Sequence, residues 1–361
     1  MVNLKVELGH KTYPLFIGID ILGKFGEIYQ LYGYKPRAAL LTDLNSKESK
    51  YFSILFENFK KRNIEIIPMF LTAEQIENGL GTVQQIALRL IQQQFQSDEP
   101  IISLGGSRLG NISAFIAQIF CGGVPYFQMP TTFSAQVVQS VDPICHLNFG
   151  SISNIFSIKY EHSLVWSDVG VLKSLSVENF VRGIGYIAHY ACLLKNGLFE
   201  FLEKNLDEIF KFNLEIIEQI VFRSCQSKIK LLQQSFVELQ NLKSNRFGEF
   251  VASILIELTH NKIKFGEALL FGMLIEGALA FKSNIFSASH FKRLCELLRR
   301  IPYHYLCTII DQNSLIDFIE HKLSSEKPLP LHLPQELGDF IPYSDYKLSD
   351  FVSAIKLILS N

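Results

Sequence analysis

The sequence has almost no surplus of either charge. Lys and Arg number 34 against 35 for Asp and Glu, a formal net charge of -1. This removes any global attraction to nucleic acid or to an anionic membrane, while leaving room for a local basic pocket. A membrane-length apolar run is also missing: the longest, Ala268 to Phe281, is interrupted by Glu276 and is too short to span a bilayer. None of the six cysteines, Cys121, Cys145, Cys192, Cys225, Cys295 and Cys307, sits in a CxxC pair. They read as buried free thiols in a reducing compartment. The opening MVNLKVELGHKTY alternates like a strand and lacks a basic-then-apolar signal pattern. There is no internal repeat and no low-complexity tract. Together these absences predict a cytoplasmic protein with neither a nucleic-acid nor a membrane partner.

What is present is enough apolar material for a large core. Hydrophobic residues make up 48% of 361 residues and charged residues 19%, which suits two domains of ordinary size. The first half alternates short apolar runs with helical spacing. Arg37 to Leu41 ends in Thr42-Asp43; Ile64 to Leu71 precedes a helical pattern over Thr82 to Gln94. Pro100 to Leu104 is a buried-type strand followed by glycines and a helix from about Asn111, and Tyr126 to Met129 is a further strand. Strands alternating with helices predict a parallel sheet covered on both faces. From Val177 to Phe281 the pattern is long helices, Pro328 to Pro334 is an extended crossing, and Tyr346 to Leu359 is a closing helix. The expected architecture is an α/β Rossmann-like nucleotide-binding domain over residues 1–175 and a mostly α-helical domain over 176–361. Ligand sites in such sheets favour the carboxyl ends of the strands.

Gly105 and Gly106 follow a strand and open a helix within IISLGGSRLGNISAF. Glycines there let backbone amides approach a pyrophosphate, and the helix N-terminus adds partial positive charge. A structural turn uses the same residues, so the pair alone is a weak signal.

The wider context is more specific. GGSRLGNISAF, then PTTFSAQV, then Asp168 with Leu172-Lys173-Ser174-Leu175, resembles the dehydroquinate synthase family of sugar-phosphate cyclases. Thr42-Asp43, Glu74, Gly183, Phe247-Gly248 and Phe265-Gly266-Glu267-Ala268 fall on further family motifs, so the resemblance covers nearly the whole chain. It implies a dehydroquinate synthase-like fold, a homodimer, and 3-dehydroquinate synthase chemistry in the shikimate pathway of aromatic amino acid biosynthesis. In that reaction NAD and a divalent metal, usually zinc, serve the cyclisation of a seven-carbon sugar-acid phosphate with loss of phosphate. The metal acts as a Lewis acid and NAD is regenerated.

The resemblance also implies which positions should carry the chemistry, and many hold other residues. The three metal positions hold Tyr186, Glu249 and Phe265. Phenylalanine offers no donor and neutral tyrosine is a poor ligand, so no metal is expected; Glu249 with His189 one turn after Tyr186 makes at most a weak partial site. Positions for substrate-binding groups hold His189, Val138, Ile144, Ser153, Gly122 and Ser253, and Pro330 stands where arginine is frequent. Asn154 and Lys322 remain, and with His189 they are the candidate catalytic residues. The cofactor side keeps more: Asp43, Glu74, Gly105, Gly106, Thr131, Thr132 and Asp168, with Ser107 for a third glycine, Asn111 for an aspartate and Glu77 for a lysine. A serine at 107 could crowd a pyrophosphate and Glu77 would repel it.

Each residue keeps a plainer alternative. Asp43 and Asp168 could cap helices or close turns, Thr131 and Thr132 could serve turn chemistry, Gly183 could serve helix packing, and His189 could be a core histidine. Asp142-Pro143 reads as a remodelled loop. Three functions follow: a degenerate, nucleotide-binding family member unable to cyclise sugar phosphates; an active cyclase with rewired ligands; or a repurposed metal-independent enzyme.

Overall fold

The computed structural model describes residues 1–8, 12–44, 50–149, 152–237, 246–302, 310–325 and 330–359. They form two compact units, residues Met1–Leu175 with Leu214–Cys225, and residues Ser176–Asn213 with Gln226–Asn361.

The first unit is built on a seven-stranded sheet. Its strands are β1 (Val2–Glu7), β2 (Thr12–Gly18), β3 (Arg37–Asp43), β4 (Glu65–Leu71), β5 (Ile101–Gly105), β6 (Tyr126–Pro130) and β9 (Leu164–Asp168). The spatial order is β1-β2-β9-β6-β5-β3-β4, parallel except for the β1–β2 pair. Helices α1 (Phe25–Leu31) and α2 (Lys50–Lys60), and α3 (Ala73–Asn78), α4 (Leu80–Gln92) and α5 (Ser107–Ile119), connect the strands. Alternate residues of β3 supply opposite cores. Ala38 and Leu40 join Phe25, Phe59, Phe127 and Trp166 on one face; Ala39 and Leu41 join Val83, Ile86, Ile112 and Phe115 on the other. Two buried faces explain why the central strands read as continuous apolar runs.

Three sequence expectations differ from the structure. Helix α5 starts at Ser107, not near Asn111, and Gly110 lies within it, with the Gln139 amide where its Cβ would stand, 2.4 Å from Gln139 Oε1. A separate hairpin, β7 (Ile144–Phe149) with β8 (Ile152–Lys159), stands apart from this sheet. Residues Leu214–Cys225, placed with the helical domain by sequence, belong to the first unit. They form the first half of α8 (Leu214–Val237), bury Ile217, Ile220 and Val221, and bring the Cys225 thiol to the Gln136 carbonyl at 3.3 Å. Cys121 is exposed rather than buried; Cys145, Cys192 and Cys225 are buried, Cys295 is half-buried, and Cys307 lies outside the described residues.

The second unit contains α6 (Val177–Leu193), α7 (Leu198–Phe210), α9 (Glu249–Leu258), α10 (Phe265–Lys282), α11 (Ala288–Arg299), α12 (Gln312–Ser325) and α13 (Leu348–Leu359). Pro328 and Leu329 lie outside the described residues, but Leu331–Glu336 is a strand, β10, paired with β11 (Asp339–Tyr343), rather than a bare extended crossing. Helix α10 is buried on every side from Gly266 to Ala280 and is the axis of this unit. Two neighbours approach it at backbone distance. A Cβ on Gly185 of α6 would lie 1.7 Å from the Gly266 carbonyl oxygen, and one on Gly272 would lie 1.9 Å from the Gly248 carbonyl oxygen. Gly248 has φ +83°, a left-handed conformation that favours glycine, and it turns the chain into α9.

Backbone has no rotamer with which to yield, so the Gly185→Ala substitution is expected to cost about 3 kcal/mol or more. Gly23→Ala, where the nearest atom is 3.5 Å away on an exposed turn, should be close to neutral. Paired urea melts measure both.

Candidate functional site

In the first unit the parallel register brings the sequence-predicted cofactor residues to one edge. Thr42 pairs with Leu104 and Gly105 with Pro130, so Asp43, Gly105, Gly106, Thr131 and Thr132 all stand at carboxyl ends of β3, β5 and β6. The chain runs outward from β3 to β4 and then returns to β5 on the other side of β3. Strand order reverses there, which is where open α/β sheets bind ligands. Gly106 precedes α5, and no side chain caps the helix. Its backbone lies against Thr132, with a Cβ only 3.1 Å from Thr132 Cγ2. Thr132 Oγ1 accepts from the Ala135 amide at 3.2 Å, so this threonine holds the following turn. Ser107 and Asn111 lie in the first turns of the same helix; Gln139 Nε2 donates to the Ser107 carbonyl and to Asn111 Oδ1, both at 2.9 Å.

Two charged residues have partners that the sequence alone did not show. Glu77 forms an ion pair with Arg108, in the first turn of α5. The acidic residue that would repel a phosphate is therefore compensated, and a cation stands beside the open helix N-terminus. Asp168 takes the turn-closing alternative. It is 4% exposed and its two oxygens accept the amides of Asp20, Leu22 and Gly170 at 2.8–2.9 Å. Burial raises its pKa, against the three amides that lower it. Glu74 is exposed in the first turn of α3.

Sequence reasoning missed the buried chain behind this edge. Gln139 Oε1 accepts from Gln128 Nε2 at 2.7 Å, and Gln128 Oε1 meets His162 Nε2 at 2.6 Å. Burial pushes His162 down to about 3, so it is neutral. The available signal was a pair of long amides, Gln136 and Gln139, set among Ala135, Val137 and Val138.

Asn154, a candidate catalytic residue, lies on exposed β8 with φ +56° and donates its backbone amide to Asn148 Oδ1. Ile144 begins β7, and the Asp142 side chain accepts its amide at 3.2 Å. Gly122 has φ +81° in an open turn.

In the second unit the close crossings of α6 and α9 with α10 gather the predicted metal positions. Tyr186 and Phe265 face one another as rings 6.0 Å apart, both half-buried. One turn along α6, His189 Nε2 lies 4.0 Å from Glu249 Oε1. That spacing is an ion pair only for an imidazolium. Burial, then Lys228, pushes His189 down to about 3, so the ring is neutral and the contact is not ionic. Burial raises the Glu249 carboxyl while Arg246 and Lys228 lower it. Glu276, fully buried on α10, accepts the Gly248 and Val251 amides at 2.7 and 3.1 Å and so holds the start of α9. Lys322 pairs with Glu257 at 3.1 Å on the outer side of α9, and Ser253 donates to the Phe250 carbonyl.

A catalytic zinc site needs three protein donors around an open position. Here one position is a phenyl ring, one a phenol packed on it, and one a carboxylate. Among the described residues no group of three or more His, Cys, Asp or Glu is placed to hold a metal ion. The residues present do not fit the metal.

Residues 69–182 match the family described as 3-dehydroquinate synthase N-terminal, and residues 183–323 its C-terminal counterpart. The chain belongs to the 3-dehydroquinate synthase family. Curated relatives agree. It is 29% identical over 306 residues to the 3-dehydroquinate synthase of Thermoanaerobacter sp. (strain X514), covering 84% of this chain and 85% of the relative. It is 25% identical to that of Rippkaea orientalis over 99% and 98% of the two chains. The fold matches 2-deoxy-scyllo-inosose synthase, solved with carbaglucose-6-phosphate, NAD+ and Co2+, at TM-score 0.84, 17% identity and 99% coverage of each chain. It also matches 2-epi-5-epi-valiolone synthase from Streptomyces hygroscopicus, with NAD+ and Zn2+ bound, at TM-score 0.82, 18% identity and 98% coverage of each.

The buried Glu276 gives a measurable pH dependence. Burial pushes its carboxyl up to about 8 from 4.5. The folded chain therefore holds a proton that the unfolded chain releases across that range, and stability through this group falls as pH rises from 4.5 to 8. His162 and His189 act oppositely, below 6.5, and cancel in a difference measurement. From pH 5 to 8, wild type should lose on the order of a few kcal/mol more unfolding free energy than Glu276→Gln; denaturant melts at both pH values read it.

Proposed function

We propose that this protein is a nucleotide-binding member of its family that does not run the metal-dependent cyclisation. The carrying observation is the Tyr186–Phe265 ring pair standing where the cation's donors belong, with the Glu249 carboxylate at the third position. Without a Lewis acid, no group at this position polarises the alcohol to be oxidised. Neutral His189, Ile144 and Val138 supply no positive charge for a phosphate and a carboxylate.

The α/β unit supports the nucleotide half of the reading. NAD, when bound, would supply hydride chemistry. The α5 N-terminus with Gly105 and Gly106 would receive its pyrophosphate, Asp43 would accept from hydroxyls, and Thr131 and Thr132 would line the same edge. Arg108 would add a cation there, restrained by Glu77.

Purified protein given the seven-carbon sugar-acid phosphate, NAD and Zn2+ or Co2+ should release no phosphate above background; sustained turnover overturns the reading. NAD or NADH should raise the melting temperature, and absence of any shift removes the nucleotide half. Freeing the cation with Glu77→Ala should tighten NAD binding severalfold at low salt, and Arg108→Ala should weaken it, as read by titration calorimetry.

A further inference from the structure

We propose that Gln139 is a positioning residue for the phosphate end of the nucleotide site, turning the Asn111 carboxamide so that its NH2 group is offered to the ligand. The inference rests on the nucleotide-binding reading above and adds the contact that sets its selectivity. It starts from one unambiguous acceptor. Gln139 Nε2 donates to the Ser107 backbone carbonyl at 2.9 Å. A carbonyl oxygen can only accept, so this contact decides which end of the Gln139 amide is nitrogen. The same Nε2 lies 2.9 Å from the Asn111 side chain, so the Asn111 atom that meets it is Oδ1. The Asn111 NH2 group keeps two donors with no partner among the described residues.

The other end of Gln139 is also held. Its Oε1 accepts from Gln128 Nε2 at 2.7 Å, which turns the Gln128 oxygen toward His162 Nε2 at 2.6 Å. That nitrogen therefore carries the hydrogen. The Tyr160 hydroxyl donates to the Gln139 carbonyl at 3.4 Å, so toward His162 Nε2, also 3.4 Å away, it is an acceptor. Gln128, Gln139 and His162 are 1%, 4% and 3% exposed. Reversing either buried amide would set acceptor against acceptor, a cost that water does not relieve there. Gly110 provides the space: a Cβ on it would lie 2.4 Å from Gln139 Oε1 and 2.6 Å from Nε2. Asn111 stands one turn after Ser107, the first residue of α5, whose N-terminus has no side-chain cap. Free helix amides and the Asn111 NH2 group are all donors, and they suit a phosphate oxygen, which only accepts. Aspartate at 111, which the family resemblance leads one to expect, would accept from Gln139 equally well but present a second oxygen to the ligand.

The test is titration of the whole chain with NAD and with inorganic pyrophosphate. It is read by calorimetry and by NMR of 15N-asparagine-labelled protein, with the Asn111 side-chain signal assigned from Asn111→Ala. That signal should move saturably with both ligands. Binding should weaken about fivefold in Asn111→Ala, from loss of one hydrogen bond to a charged group. In Asn111→Asp, which keeps the shape and adds a like charge, it should weaken about tenfold or more. Gln139→Met keeps the length of the side chain but removes its donors and acceptor. It should weaken binding about threefold alone and not at all on top of Asn111→Ala, while its cost in stability appears in both backgrounds. If NAD has no effect and pyrophosphate still moves Asn111, the nucleotide reading falls and the phosphate contact stands. If NAD binds and Asn111→Asp binds it equally well, or Gln139→Met weakens binding equally with and without Asn111, the positioning role is overturned and the nucleotide reading stands. An Asn111 signal unmoved by either ligand also overturns the proposal.

Discussion

The helical unit depends on backbone meeting backbone along α10. Gly185 rests on Gly266 and Gly248 rests on Gly272, each without room for a methyl group. Close approach of this kind leaves nothing between the helices to adjust, so the facing positions of α6, α9 and α10 are fixed relative to one another. Tyr186, His189, Glu249 and Phe265 are placed by that geometry rather than by their own interactions. Their side chains could change from metal donors to aromatic rings without moving the helices. The buried Glu276 adds a second fixed point by holding the amides at the start of α9.

The α/β unit is organised by a different constraint. Its parallel register aligns the ends of β3, β5 and β6, so residues more than eighty positions apart in sequence share one edge. The open N-terminus of α5 gives that edge a partial positive charge, while Arg108 is balanced by Glu77 and the chain's net charge stays close to zero. Helix-terminal amides need no particular side chain, so the geometry of this edge is less sensitive to substitution than a site built from side-chain donors.

Much of this was legible in the sequence because it lies in spacing. The strand–glycine–helix order around Gly105 and the family motifs from Asp43 to Ala268 placed the fold and the edge residues. What was not legible lies in tertiary pairing. Glu77 reads as a repulsive charge until Arg108, 31 positions away, is seen beside it. Asp168 reads equally as a ligand or a cap until three amides are found on its carboxylate. Lys322 is retained at a family position, yet its charge goes to Glu257.

The assignment of Leu214–Cys225 to the first unit has a consequence for synthesis. The chain enters the helical unit after Leu175, returns to the α/β unit at Leu214 and leaves it again after Cys225. An emerging polypeptide has all seven strands by Asp168 but lacks the segment carrying Ile217, Ile220, Val221 and Cys225. During translation the first unit lacks this segment until some fifty further residues have left the ribosome. The α/β unit is therefore not a segment that can be excised by one cut after Leu175, and its completion is tied to passage through the start of the helical unit.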